Sequence, residues 1–201
     1  MVSHYQKPEI DTQHMLAFTK VKKQHMNALS SILWKLSGDR TLFKGAMQDA
    51  LYQMWEKTDH LDGEEAEDVL YQIALSANQN AWRSQVTEPS QIGSLRPSDQ
   101  PPTEKERQRV TTLIRWAISR LDPMHALVIL WRYLEAKDDK TIAAEMGCTL
   151  ERAKHSVAEA VGALKAQLRE AAQAHRLKTW NLYWNMTQLA FDPTKELSKP
   201  A

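Results

Sequence analysis

Apolar residues in this chain recur at intervals of three and four along almost its whole length, and no segment alternates apolar with polar over the span of a strand. That period suits helices with one buried face and excludes a sheet, whose side chains point to opposite faces in turn. The first segment carries three stripes: Met26, Leu29, Ile32, Leu33 and Leu36; Met47, Leu51, Met54 and Trp55; then Leu70, Ile73, Ala74, Ala77 and Ala81. Ser37-Gly38-Asp39 reads as a helix end followed by a turn. In the second segment Val110, Leu113, Ile114, Ala117 and Leu121 form a stripe that Asp122-Pro123 breaks, and Leu127, Leu130, Trp131 and Leu134 form the next. Two closely spaced helices follow, at 140–146 and from Leu150 to about Ala171.

Four of the eight prolines (Pro89, Pro97, Pro101, Pro102) crowd between Thr87 and Glu104, among serines and a glycine. This is linker composition. The predicted fold is therefore all-α: two small helical domains joined by a flexible linker. The expected organisation is an N-terminal segment over 1–19, a helical bundle over 20–86, a linker over 87–104, a second helical domain over 105–172 and an aromatic extension over 173–201.

Composition narrows the function classes. No run of about eighteen apolar residues crosses a membrane, and the first residues lack the basic and apolar regions of an export signal, which implies a cytoplasmic protein with no membrane partner. A lone cysteine, Cys148, excludes an internal disulfide and a multi-cysteine zinc site. Chemistry of its own is not evident either. The six glycines form no phosphate loop, and none of the seven histidines pairs with a carboxylate or Cys148 at metal-ligand spacing. The run Glu64-Glu65-Ala66-Glu67-Asp68 reads as a solvated helix start. No catalytic residue, metal or cofactor is expected, so the chain is read as a binding protein and not an enzyme.

The most specific pattern is Ile142-Ala143-Ala144-Glu145-Met146-Gly147-Cys148-Thr149. Ala143 lets two helices cross closely, Gly147 supplies the left-handed turn between them, and Thr149 caps the next helix. Ala153, Val157, Ala160, Val161, Leu164 and Leu168 are then its buried stripe, and Cys148 holds a position suited to a buried thiol. The pattern fits a helix-turn-helix with 149–159 as recognition helix, or else a plain helical hairpin.

The stretch from Leu121-Asp122-Pro123 through Leu127–Glu135 and Lys140–Thr149 to Ala153-Lys154 resembles region 4 of the sigma-70 family. Leu36-Ser37-Gly38-Asp39-Arg40, Gln48–Trp55, Leu70–Ala74 and Arg83 resemble region 2 of the same family. Two such segments in this order are similar to the small extracytoplasmic-function (ECF) class of RNA polymerase sigma factors, over about residues 20–172. The resemblance implies binding to core RNA polymerase at the β′ clamp helices and β flap, and to promoter DNA. It implies polymerase contacts at Asp39, Gln48, Asp49 and Tyr52. Minus-ten contacts would fall on Tyr71, Gln72, Asn78, Asn80 and Arg83, and minus-thirty-five contacts on Thr149, Arg152, Lys154, His155 and Ser156. For Tyr71 and Trp55 the alternative is core packing, which is the favoured reading for Trp55.

The sequence departs from the family in three places. Leu42-Phe43-Lys44-Gly45 replaces an acidic run used in docking, and a Ser/Thr kinase partner acting at Thr41 would restore the charge; the alternative is that Thr41 caps the helix starting near Leu42. Gln72 and Leu75 stand where arginine is usual, and Ser76 where asparagine is. Ser156 and Glu159 stand at usual arginine positions of the recognition helix. The net charge is only +1, although residues 105–170 hold twelve basic residues against nine acidic. These departures keep a second class open: a sigma-fold regulator or mimic that binds an anti-sigma factor or polymerase without reading promoters. Beyond the resemblance, Leu177, Trp180, Trp184 and Phe191 space an aromatic stripe that either packs back on the protein or serves as a docking or autoinhibitory helix.

Overall fold

The computed structural model describes residues 12–85 and 104–174. The aromatic extension beyond Ala174 and the linker before Glu104 lie outside the described residues. Every regular element within them is helical. In order these are α1 (Thr12–Ser37), α2 (Arg40–Glu56), a 3₁₀ turn (Thr58–His60), α3 (Ala66–Gln85), α4 (Glu104–Ser119), α5 (Pro123–Ile129) running into a π-helical turn (Leu130–Leu134), α6 (Asp139–Glu145) and α7 (Leu150–Ala174). The first helix thus starts ahead of the expected boundary at residue 20.

Local chemistry accounts for the breaks. α1 ends at Ser37 because Gly38 turns left-handed, with φ of +60°, a conformation that a Cβ disfavours. Asp39 then caps α2, its Oδ1 accepting the N–H groups of Thr41 at 2.8 Å and Leu42 at 3.0 Å. Thr41, the alternative cap, instead lies inside the first turn, since the extended residue with a free carboxylate is Asp39. Asp122 and Asp138 cap α5 and α6 in the same way.

Packing follows the stripes, with one shift. The α1 and α3 positions named from spacing are buried apart from the partly covered Met26. On α2 the fully buried line is Leu42, Ala46, Ala50 and Met54, while Met47, Leu51 and Trp55 are only partly covered. Two of those four are alanines, so α2 and α3 approach closely. Trp55 packs edge-on against His14 and Phe18 of α1, at ring centroid distances of 4.4 and 5.2 Å. The Nε2–H groups of His14 and His25 donate to the carbonyls of Trp55 and Leu61 at 3.0 and 2.9 Å, holding α1 along the 3₁₀ corner.

The second segment closes α4 and α5 over α7, with α6 across the end of α7. Val110, Leu113, Ala117, Val128, Ile129, Ala153 and Ala160 are its innermost side chains. The apolar core is continuous with that of the first segment, because α3 packs on α1 and α2 with one face and on α4 and α5 with another.

Two glycines predict opposite outcomes in urea denaturation. Gly147 lies at φ of +58° with open space around its Cα, so Gly147→Ala should cost about 1 kcal/mol through backbone strain alone. Gly162 is in mid-helix with nothing near, so Gly162→Ala should gain about 0.5–1 kcal/mol.

Candidate nucleic-acid interface

The turn between α6 and α7 has the geometry that the spacing called for. The Gly147 N–H donates to the Ala144 carbonyl at 3.0 Å and the Cys148 N–H to that of Ala143 at 2.9 Å, which closes α6. Thr149 Oγ1 accepts the Arg152 N–H at 3.3 Å and opens α7. Cys148 is half-buried, its Sγ 3.5 Å from the Thr149 carbonyl, and so is less covered than the sequence suggested.

Of the residues named for minus-thirty-five reading, Thr149, Arg152, Lys154 and His155 share the solvent face of α7. Ser156 does not. It is buried because it lies between Ala153 and Ala160 on the inward stripe, so the fourth-residue spacing that hides those alanines hides it too. The exposed face is largely self-neutralised. Lys154 pairs with Glu151 at 2.9 Å, which holds its pKa above the ordinary lysine value through that hydrogen bond, and His155 lies 3.3 Å from Glu159.

On α2, Gln48 and Tyr52 are exposed, Tyr52 to 63%. The Tyr52 hydroxyl bonds Glu56, which raises its pKa. Asp39 is committed as a cap. Asp49 is also occupied: its Oδ2 accepts from Asn80 Nδ2 of α3 at 2.9 Å and from Gln53 at 3.2 Å. Asn80, Gln72 and Arg83 are exposed on α3.

Tyr71 and Asn78 are not open, which corrects the expectation for both. Asn78 is 1% exposed and accepts the Ser37 hydroxyl at 3.3 Å, tying α3 to the end of α1. Tyr71 is covered by the second segment. Its hydroxyl donates to Glu135 Oε2 at 2.9 Å, and its ring meets Trp131 edge-on at 5.8 Å between centroids. Lys137 Nζ lies 5.5 Å from the Tyr71 centroid and 5.2 Å from that of Trp131, and donates to the Tyr71 oxygen at 3.5 Å. Lys137 also pairs with Glu145 at 2.9 Å, and Lys35 of α1 reaches Glu135 at 3.4 Å. Burial acts to lower the Lys137 pKa, but Glu145, Tyr71 and Glu135 outweigh it and raise the value.

The π-helical turn aims these groups. The Glu135 N–H donates to the Leu130 carbonyl, five residues back, at 2.9 Å, and such single π turns recur at functional sites. Ala136 then turns left-handed with φ of 55°, a conformation that costs a non-glycine residue roughly 1–2 kcal/mol. Glu135 and Lys137 flank that kink and both reach Tyr71.

A second pin lies at Gly38. Arg115 of α4, 7% exposed, donates from Nε to the Lys35 carbonyl at the end of α1, at 3.0 Å. A Cβ placed on Gly38 would lie 1.9 Å from Arg115 Nη1, so the glycine is also the seat of the guanidinium. Gln79 completes the contact by donating to the Leu121 carbonyl at 3.1 Å.

Sequence reasoning missed Lys35, Gln79, Arg115, Glu135 and Lys137 as interface residues. One signal was readable: Tyr71, Leu75, Asn78 and Trp82 make a second α3 stripe at helical spacing, and all four are buried. Leu75 therefore belongs to a covered face at a position where the resembled family carries arginine. Among the described residues no group of three or more His, Cys, Asp or Glu is arranged to hold a metal, and no helix is long and apolar enough to cross a membrane.

Burial, then the Glu135 hydrogen bond, pushes the Tyr71 pKa up to about 12. A raised folded-state value contributes stability that is full below the unfolded pKa of about 10 and is lost as pH climbs through the folded value. Relative to Tyr71→Phe, the wild type should lose stability between about pH 10 and pH 12. The wild-type minus Tyr71→Phe ultraviolet titration should show one phenol ionising near pH 12. No family model matches the chain, and no curated protein is significantly similar to it.

Proposed function

We propose that this chain is an ECF-type sigma factor that binds core RNA polymerase, recognises minus-ten and minus-thirty-five promoter elements and directs transcription initiation. The observation that carries the reading is the α6–Gly147–Thr149–α7 turn, with Arg152, Lys154 and His155 together on the exposed face of α7. In this reading α7 enters the major groove, α2 offers Gln48 and Tyr52 to the β′ clamp helices, and α3 supplies Gln72, Asn80 and Arg83 to the minus-ten strand. The second segment engages the β flap. The chain helps open the duplex at the minus-ten element, whereas the chemistry of polymerisation belongs to the polymerase, so the chain needs no catalytic residue or cofactor, and its setting is the cytoplasm.

A mimic of the same fold, binding polymerase or an anti-sigma factor without reading promoters, is favoured by specific residues. Leu75 and Ser156 are buried at positions where the family carries arginine, and Glu159 faces His155 instead of leaving a free cation. A helix face that balances its own charges releases few counterions on DNA.

Run-off transcription with core polymerase separates the two. The sigma reading predicts promoter-dependent transcripts that Arg152→Ala reduces at least fivefold, consistent with loss of about 1–3 kcal/mol for one base-edge contact. Polymerase binding without transcripts on any promoter pool would favour the mimic.

Thr41 is exposed in the first turn of α2, between Arg40 and Lys44. A phosphate there would restore negative charge at a helix N-terminus. With a Ser/Thr kinase as partner, Thr41→Glu should bind polymerase more tightly than Thr41→Ala; equal affinities would contradict phosphorylation control.

A further inference from the structure

The two carboxylates on the solvent face of α7 stand in different places. Glu151 lies in the first turn, directly after the Thr149 cap, and its side chain is 83% exposed. Lys154 Nζ holds its Oε1 at 2.9 Å. Glu159 follows eight residues later, about 12 Å further along the helix axis, and faces His155 at 3.3 Å. A recognition helix meets base edges with its N-terminal residues, so Glu151 and the exposed Arg152 beside it lead into the groove, while Glu159 falls towards the phosphates. An ionised carboxylate only accepts hydrogen bonds. In the major groove guanine and thymine offer acceptors, adenine an acceptor beside its donor, and cytosine a donor alone. The cation of Lys154 offsets the charge that Glu151 brings towards the duplex and fixes the carboxylate in one direction.

We propose that Glu151 is a specificity-determining residue, its carboxylate accepting from the N4 amino group of a cytosine in the minus-thirty-five element, with Lys154 as its positioning residue. The inference rests on the sigma reading. Arg152, which only donates, suits a guanine O6 and N7, so neighbouring residues of α7 ask for opposite base edges and together select a C and a G. Glu159 has the opposite effect to Glu151: beside the phosphates it lowers affinity for every sequence alike and selects none. A carboxylate in the first turn also suits the positive end of the helix, but that contribution does not depend on the DNA sequence. Base preference therefore separates recognition by Glu151 from a purely structural role.

The test uses the full chain assembled with core RNA polymerase and a pool of promoter DNA randomised over the minus-thirty-five element, the bound molecules being sequenced. The wild type should favour cytosine at one position by about fivefold or more over any other base. Glu151→Gln should abolish that preference and move it to adenine, whose N6 and N7 an amide bonds together. Lys154→Gln should weaken binding to all sequences and blunt the cytosine preference. Glu159→Gln should tighten binding to all sequences while leaving the preferred bases unchanged. A cytosine preference that survives Glu151→Gln, or its absence from an otherwise enriched element, overturns the inference and leaves the sigma reading standing. No enriched element at all, in a complex verified to have formed, overturns the sigma reading and the inference with it.

Discussion

The polar contact between the two halves centres on one carboxylate. Glu135 accepts from Tyr71 of α3 and pairs with Lys35 of α1, while the chain on either side of it leaves regular helix through a π turn and a left-handed Ala136. A regular α-helical exit would rotate Glu135 and Lys137 away from the tyrosine. A buried carboxylate without partners would be expensive, so its pairing with Tyr71, Lys35 and Lys137 is what makes the position tenable. Arg115 makes a parallel arrangement at the same end of α1, where its guanidinium meets the Lys35 carbonyl near the helix C-terminus and the absence of a side chain at Gly38 gives it room.

These constraints connect fold to function through what they cover. The exposed faces of α2 and α7 remain available, so the proposed docking through Gln48 and Tyr52 and the proposed groove contact through Arg152 require no rearrangement of either helix. The α3 surface is divided. Gln72, Asn80 and Arg83 are open, whereas Tyr71 is occupied by the second half. The contact between the halves combines this polar cluster with an apolar core that runs through both.

Much of the helical architecture was legible because it follows from local rules. Gly38 and Gly147 mark left-handed turns, Asp122-Pro123 marks a new helix, and the stripes of α3 and α4 coincide with the buried residues. What was not legible depends on tertiary contact. Thr41 was as good a cap as Asp39 by residue type, and only the backbone conformation of Asp39 decides between them. Ser156 reads as a polar recognition residue until its register with Ala153 and Ala160 places it inside. Tyr71 reads as a stacking platform by composition, yet an aromatic ring suited to a flipped base is equally suited to Trp131 and Lys137. The polar contacts of Arg115 and Glu135 span eighty and a hundred positions to Lys35 and leave no periodic trace.

The central claim is that the halves meet through Tyr71 and Trp131. Hydroxyl-radical labelling of the folded chain, read by mass spectrometry, tests it directly, with the exposed Trp34 and Tyr52 as internal references. The account predicts that Tyr71 and Trp131 are both protected while Trp34 and Tyr52 are oxidised readily. Oxidation of Tyr71 and Trp131 as fast as the references, in a chain that keeps its helical circular dichroism, would contradict it.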